Sequence, residues 1–440
     1  MDRAIRPRRG AGRPSRRGPR GARPGGQGRA LGRGQAPGSG LTTAGAHPRR
    51  VAIVVHASVP ADPRIRRQAD ALLAAGYEVD LFALRDRGQA AEELADGLRI
   101  VRLPVRRRFG SFVGHLAEYL AFTGAATLRL TREHRRRRYA VVQVASLPDF
   151  LAFAASALKL AGVPLILDLH EDMPAFFEDR FHSPALRPLR PLIGGLTRAS
   201  AAMADAILTV HGPLRELSLA RGVSPDKVTV VMNSADDRLF DPARHARRPF
   251  MEDGELRLMH HSSLQRIYGL PVAIEAVAQL RDELESRLDV YGDGPYRPEI
   301  EEEIERLGVG ERVALHGRAP LEELPGLLAG ADLAIVPSLP EPYMQYSLST
   351  KLLEAVAMGV PVIASDLATF RAHFSDAAIR YVPGGDPRAL GVAIRESAAD
   401  PSGTARQAAE ARRQAEPYAW SIQAGRYLEV VDRLADRPRR

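Results

Sequence analysis

Two successive α/β units, each a parallel sheet wound with helices on both faces, are what this sequence predicts, and three observations carry the prediction. The chain runs to 440 residues, more than one hydrophobic core usually serves. From residue 51 onward short β-branched runs alternate with helical stretches, and near-continuous apolar strands separated by helices mean parallel sheets buried on both faces. The alternation breaks once, over residues 240–254, where Pro242, three arginines, Pro249 and Gly254 read as a linker.

The elements follow in order. A strand over 51–55 leads to a helix over 64–75, stopped by Gly76, and then to strands over 78–84 and 98–103. A glycine just past the last periodic residue is the common helix stop. A long helix from about 111 to 132 is followed by a strand over 139–145, a helix over 149–161 and a strand over 164–169. A helical segment over about 185–204 and strands over 206–210 and 227–232 close the first unit. Beyond the linker come a strand over 256–259, a helix over 271–280, a strand over 288–291 and a helix over 297–307. A strand over 312–315, a helix over 321–329, a strand over 333–336, a helix over 351–358 and a strand over 361–364 complete the second. A last helix, 421–434, lies beyond the Pro- and Gly-containing stretch 383–403. The organisation expected is therefore a tail over 1–50, units over 51–240 and 241–416, and a terminal helix over 417–440.

Composition removes several classes of function. With no cysteine, disulfides, thiolate zinc sites and a catalytic thiol are excluded, which suits a reducing cytoplasm. The net charge of +9 suggests nucleic acid until it is located. Residues 1–50 hold thirteen arginines against Asp2 alone, so subtracting their +12 from +9 leaves −3 on the remaining 390 residues. The body is near neutral, and no nucleic-acid partner is expected. The Arg/Gly/Pro-rich tail has almost nothing to bury and is expected to be disordered. It reads as an electrostatic arm for anionic lipid or nucleic acid, or as a dispensable extension, the reading preferred here. It has no apolar core of the secretory kind, and no apolar run reaches the roughly 20 residues of a bilayer span. Arginines 106–108 and 135–138 flank the apolar helix over about 111–132. That pattern fits peripheral contact with an anionic membrane, and equally a packed helix with cations near its C terminus.

Ligands of open parallel sheets bind beyond the carboxyl ends of the strands. Six of the twelve histidines, His56, His170, His211, His260, His261 and His316, directly follow a predicted strand and argue for a polar rim. They come from separate strands without a helical His pair, so no metal is expected. In Ser347-Leu-Ser349-Thr350-Lys351-Leu-Leu-Glu354, Ser349 or Thr350 caps a helix whose first amides lack partners. Lys351 lies in the first turn, where the macrodipole disfavours a cation, and a diphosphate held by amides and lysine together resolves the conflict. Glu354, three residues on and on the same face, suits ribose hydroxyls. The competing reading is a solvated Lys–Glu pair. Arg266, just before the helix that Pro271 opens, is placed to grip a phosphate bidentately, or is a surface arginine. Gly292, Gly294 and Arg318 stand at the ends of the next two strands; such glycines allow close approach of a ligand or form plain turns. In the first unit Asp62 can cap a helix whose first turn carries Arg64, again suggesting an anion. Asp149 reads chiefly as a structural helix start, and Glu171 ends an interior strand facing the cleft. No GxGxxG or Walker signature occurs in strand–helix context.

These residues resemble the retaining glycosyltransferases of family four, the group 1 transferases, over 51 to about 434. Four features carry the resemblance: Asp62-Pro-Arg64-Ile-Arg-Arg67 with Ala75-Gly-Tyr-Glu-Val79; Lys227-Val-Thr-Val-Val-Met-Asn233 before Asp237 and Phe240; Val290-Tyr-Gly292-Asp-Gly294-Pro295; and Lys351-Leu-Leu-Glu354 through Gly359-Val-Pro-Val-Ile-Ala-Ser365. The resemblance implies a GT-B fold, two Rossmann-like domains facing across a cleft, with the last helix returning to the first domain. It implies an acceptor side in 51–240 (Asp62, Arg64, Asp149, Glu171) and a nucleotide-sugar side in 241–416. The donor residues expected are Glu354, Ser349, Thr350, Ser263, Gly292, Gly294 and Arg318, with His170, Arg266 and Lys351 at the reacting centre and no metal or cofactor. Two positions depart from the family pattern. Tyr346 replaces the earlier glutamate, and Ser262-Ser263…Tyr268-Gly269 stands where Gly-Arg…Lys-Gly is usual. The function expected is retaining sugar transfer from a nucleotide diphosphate to a glycan, lipid-linked or small-molecule acceptor in the cytoplasm or at the inner membrane face. The alternatives are sugar-nucleotide epimerisation and non-catalytic sugar-nucleotide binding.

Overall fold

The computed structural model describes residues 49–58, 63–108, 112–180 and 184–437; the basic tail to residue 48 and Asp62 fall outside them. Eight strands form the first sheet: β1 Arg50–Ser58, β2 Glu78–Leu84, β3 Glu92–Ala95, β4 Leu98–Leu103, β5 Val141–Ala145, β6 Leu165–Leu169, β7 Ala206–Thr209 and β8 Val228–Val230. Their order is β3-β4-β2-β1-β5-β6-β7-β8, parallel throughout except for β3 against β4. Val51 pairs with Val79 on one side and Val141 on the other, so β1 lies in the interior. Six strands form the second sheet: β9 Leu256–His261, β10 Ser286–Tyr291, β11 Val313–Gly317, β12 Leu333–Val336, β13 Val362–Ser365 and β14 Arg380–Val382. Their order is β11-β10-β9-β12-β13-β14. In both sheets the order reverses beside the first strand, between β1 and β5 and between β9 and β12, and such a reversal opens a crevice at the carboxyl ends.

Side chains bury both faces of the first sheet. Phe82, Phe122, Leu130 and Tyr139 fill one side, and Val51, Ile53 and Leu81 meet the C-terminal helix Trp420–Ala435 on the other. That helix contributes Trp420, Tyr427, Val430, Val431 and Leu434, one apolar stripe at helical spacing. Each such side chain is worth about 1.5–3 kcal/mol on burial, so the helix stays docked without depending on any one polar contact. The second sheet is packed alike, with Leu258, Ile274, Val277 and Leu288 on one face and Ala334, Val356, Phe370 and Phe374 on the other.

The structure adds elements that the pattern did not foretell. The helices Pro387–Ala399 and Pro401–Ala415 occupy most of the Pro- and Gly-containing stretch 383–403 and the residues after it, for which the pattern predicts no element, because their prolines sit at helix starts rather than in turns. Asp386 accepts from Ala389 N at 2.9 Å and Asp400 from Gly403 N at 2.8 Å, capping each. The helix expected over 149–161 begins as a 3-10 segment, Asp149–Ala155, before the α-helix Ser156–Leu160. Within the linker, Arg247 donates to Gly359 O at 2.8 Å and Arg248 to Asp332 Oδ2 at 2.8 Å, lashing it to the second sheet.

Candidate active site

The two crevices meet in a cavity of about 1000 Å³ between the sheets. From the first sheet Arg64, Arg67, His170, Glu171 and Asn233 line it; from the second come Tyr268, Arg318, Ser349, Thr350, Lys351 and Glu354. Eight residues singled out from sequence are therefore brought together across more than a hundred positions of chain.

The second-sheet wall is built on the helix Thr350–Ala357, whose buried stripe Leu352, Leu353, Ala355 and Val356 fixes it against the core. Ser349 caps this helix by position, with extended backbone (φ −70°, ψ 120°), but its hydroxyl makes no capping bond. That hydroxyl is buried and has no partner among the described residues, so it and the helix amides stand ready for an anion. The Lys351 ammonium lies 3.7 Å from the centre of the Tyr268 ring, a cation–π contact. Glu354 Oε2 lies 2.7 Å from His261 Nε2, which fixes one oxygen and leaves the other for a ligand. Among the described residues Arg318, exposed on the loop after β11, has no carboxylate within ion-pair distance.

On the first-sheet wall His170 follows β6, almost wholly buried, with Nε2 3.1 Å from Asp168 Oδ2. Neither ring nitrogen has a hydrogen-bond partner among the described residues, the Asp168 contact being one of distance alone. Burial pushes the Asp168 carboxyl up, but His170, the Gln68 amide and the charge of Arg64 hold it below the ordinary carboxylate range. Burial, and then the adjacent Glu171, pushes the Tyr343 hydroxyl far up and keeps it a donor. Arg66 and Arg67, also in the first helical turn, are spent on the protein itself. Arg66 bonds Asp70 at 2.8 Å, while Arg67 bonds Asn233 at 2.7 Å and stacks over Trp420.

The other rim histidines are held structurally, and three lie inside longer strands than expected. His260 bonds Ile335 O and Ser262 Oγ, both at 2.9 Å, and burial pushes it down to about 3. His211 caps the helix Gly212–Ala220 and reaches Tyr346 O at 2.9 Å across the cleft; burial pushes it down to about 4. His56 beside Glu118 also falls to about 4, chiefly through burial, and His316 pairs with Asp289 at 2.6 Å. No group of three His, Cys, Asp or Glu suited to a metal ion occurs among the described residues.

Two comparisons of sequence now bear on this geometry. The profile described as "Glycosyl transferases group 1" matches residues 255–400, and that described as "Glycosyl transferase 4-like domain" matches 61–234. The chain belongs to the group 1 glycosyltransferases. A D-inositol 3-phosphate glycosyltransferase of Thermobispora bispora is 32% identical over 245 residues, 51% of this chain and 55% of that protein. The chain spans about half the length of the first curated relatives it matches. Sucrose-phosphate synthase from Thermosynechococcus elongatus shares the fold with a TM-score of 0.72 at 20% identity, over 88% of this chain and 99% of that one. HepE of Anabaena, solved with UDP, gives 0.61 at 16% identity over 87% and 100%. The fold is thus GT-B, with the C-terminal helix packed on the first sheet.

Not every expected residue of this group 1 glycosyltransferase reaches the cavity. Arg266, in the short turn Arg266–Tyr268, is half exposed and bonds Glu341 Oε1 at 2.8 Å. Ser263 is exposed and accepts from Gln265 at 3.3 Å. Gly292 and Gly294 have a packing reason: an added Cβ would lie 1.8 Å from Ser262 O and 2.3 Å from Leu264 O. Asp149 faces a separate cavity of about 370 Å³ that shares only Glu171 with the main one. It is not a helix cap. Its Oδ2 accepts from Thr197 Oγ1 at 2.8 Å, Oδ1 has no partner, and burial pushes it up to about 7 despite that bond. Sequence reasoning missed Tyr268 as the seat of Lys351 and His261 as the partner of Glu354; the one signal was that each directly follows a strand or its loop.

Proposed function

We propose that the protein transfers a sugar, with retention at the anomeric carbon, from a nucleoside-diphosphate sugar to an acceptor held against the first sheet. The observation that carries this reading is the unfilled cap at Ser349 beside Lys351 and Glu354 in the interdomain cavity. The diphosphate lies at the start of the helix Thr350–Ala357, where amides, the Ser349 and Thr350 hydroxyls and Lys351 meet it. Glu354 takes the ribose hydroxyls with its free oxygen. Charge growing on the departing diphosphate is stabilised by donors already in place, usually the largest single catalytic contribution. Arg318 closes on the nucleotide from the β11 loop, and Arg266 joins the phosphates only on leaving Glu341. His170 orients the sugar, with Arg64 and Glu171 on the acceptor side. Residues 51–240 serve as acceptor domain, 241–416 as donor domain, and 417–440 as the returning helix. The solved Anabaena neighbour holds UDP, which supports a nucleotide diphosphate here. No metal is needed, since the positive groups stand where a metal would otherwise act.

The decisive experiment is a thermal-shift series with UDP, GDP and ADP and their sugars. One nucleotide class at a hundred times its Kd should raise stability by about 2.7 kcal/mol. No shift with any of them sinks the reading.

Peripheral membrane contact belongs to the same proposal. No helix of the described residues is long and apolar enough to cross a membrane. The helix Phe112–Arg137 nevertheless exposes Val113, Leu120 and Leu128, which with Arg135 span an arc of about 80° at 100° per residue. Apolar side chains on one face with arginines at its end match an anionic lipid surface. Co-sedimentation with phosphatidylglycerol vesicles but not phosphatidylcholine ones is expected, and equal recovery with both counts against it.

A further inference from the structure

The turn Tyr343–Tyr346, directly ahead of the diphosphate helix Thr350–Ala357, is held from both sides of the cleft. On its own side the Gln345 carbonyl accepts from Thr369 Oγ1, and Gln345 Oε1 accepts from Ala368 N at 3.2 Å. The first domain meets it at three points. His211, just after β7 and wholly buried, reaches the Tyr346 carbonyl with Nε2 at 2.9 Å. Phe176 packs edge-on against the Tyr343 ring, with centres 6.0 Å apart. The Tyr343 hydroxyl stands beside Glu171. In return His373 of the second domain packs edge-on against the His211 ring, also at 6.0 Å.

The direction of the His211 bond is fixed by the other ring nitrogen. Leu214 N donates to Nδ1 at 3.1 Å, so Nδ1 carries no proton, and burial keeps the ring neutral. Nε2 therefore bears the hydrogen and donates it to the Tyr346 carbonyl. One ring does two separable things: Nδ1 caps a helix of the first domain, and Nε2 ties that domain to the second. The tie falls one residue before Ser347, where the chain enters the cavity with Ser349, Thr350 and Lys351; Arg64 and His170 line the opposite wall. Because Gln345 anchors the turn to its own domain, the His211 bond sets the spacing of the two walls. Reacting groups misplaced by about 1 Å can lose about 10²-fold in rate.

We infer that His211 is a positioning residue: its Nε2–H, bonded to the Tyr346 carbonyl, holds the diphosphate cradle of the second domain in register with the wall that carries His170 and Arg64. The effect on rate rests on the proposed transfer. The tie between the domains does not.

Two substitutions separate the cap from the tie. His211→Asn keeps a capping oxygen but is too short to reach Tyr346, whereas His211→Gln reaches with its amide and caps poorly. The chain has no cysteine, so spin labels can be set at Leu160→Cys and Asp282→Cys, exposed positions of the first and second domains. Losing one hydrogen bond should raise the ratio of separated to joined forms about 2- to 13-fold. His211→Asn should therefore broaden the distance distribution, and His211→Gln should leave it near that of the wild type. The reverse order, or one distribution shared by all three proteins, overturns the inference. In transfer assays His211→Asn should lower kcat about 10- to 100-fold. The Kd of whichever of UDP, GDP and ADP binds should stay within threefold, because the second domain alone holds the nucleotide. His211→Gln should recover most of the lost rate; equal loss with both substitutions marks a merely structural ring and overturns the inference. Should His211→Asn not fold, His211→Ser, another capping residue, is read by the same criteria. Absence of transfer in every protein, with the distances ordered as expected, fails the proposed function and leaves this inference standing.

Discussion

Lys351 stands where a helix wants an anion. A cation in the first turn costs about 0.3–1 kcal/mol, and the Tyr268 ring returns about 0.5–1 kcal/mol, so in the empty protein the two nearly cancel. The balance tips only when a phosphate arrives. Lys351→Met should therefore change unfolding free energy by under about 1 kcal/mol yet lower kcat about 10²- to 10³-fold, the range for losing one preorganised donor. A fall in stability with unchanged turnover would reassign the lysine to packing. Glu354 differs, because its His261 partner holds it in place before any ligand binds. Glu354→Ala should weaken nucleoside diphosphate binding about 10- to 100-fold by calorimetry, since hydrogen bonds to charged groups carry about 1.5–3 kcal/mol. Asp149 behaves oppositely to a salt-bridged acid. Its folded pKa near 7 lies above the unfolded value, so it favours the native state below about pH 4, and that contribution is lost as pH rises towards 7. Three pH units correspond to about 4 kcal/mol. Asp149→Asn should gain on the wild type in denaturant midpoint between pH 5 and pH 8; a constant gap between the two proteins would show that Asp149 is ionised throughout.

At the scale of elements, the helix Thr350–Ala357 joins stability to ligand binding. Replacing a working cap serine by alanine costs about 1 kcal/mol. Ser349 makes no capping bond, so Ser349→Ala should leave the apo melting temperature within about 2 °C, by the usual conversion for a chain of this size. Nucleotide affinity should fall several-fold. A melting loss equal in apo and nucleotide-bound protein would show an ordinary cap. The position of this helix was legible in the sequence because its cap, apolar stripe and Gly359 stop agree. The helices Pro387–Ala399 and Pro401–Ala415 were not, because a proline at a helix start and a proline in a loop look alike until an aspartate is seen to cap. β3, with Glu92 and Glu93 and no β-branched residue, lacks any strand signal; it is held by pairing with β4 and by Arg129 of the helix Phe112–Arg137, which pairs with Glu92. The site was legible as far as residue type meets strand end. Which cation reaches the cavity was not, for Arg266 and Lys351 look equally good until Glu341 claims the first and Tyr268 seats the second.

At the scale of the whole molecule, a chain that crosses between two sheets and returns makes its last helix part of the first core. Trp420, Tyr427, Val430, Val431 and Leu434 cover Val51, Ile53 and Leu81, which would otherwise face water on the side of the sheet opposite Phe82 and Phe122. Five such side chains at about 1.5–3 kcal/mol each represent a gross contribution on the order of 10 kcal/mol, comparable with the entire net stability of a typical domain. The Met232 backbone N–H also donates to Gln423 Oε1 of this helix at 2.9 Å, so removal would uncover polar backbone as well as apolar surface. The second sheet owes the helix nothing of this kind; its faces are closed by its own helices. A chain ended after Ala419 should therefore lose cooperative unfolding of the first domain while the second still melts as a unit. Limited proteolysis should then cut within residues 63–230 and leave a resistant fragment beginning near the linker. Resistance spread evenly over both halves would mean that the first sheet closes without its returning helix.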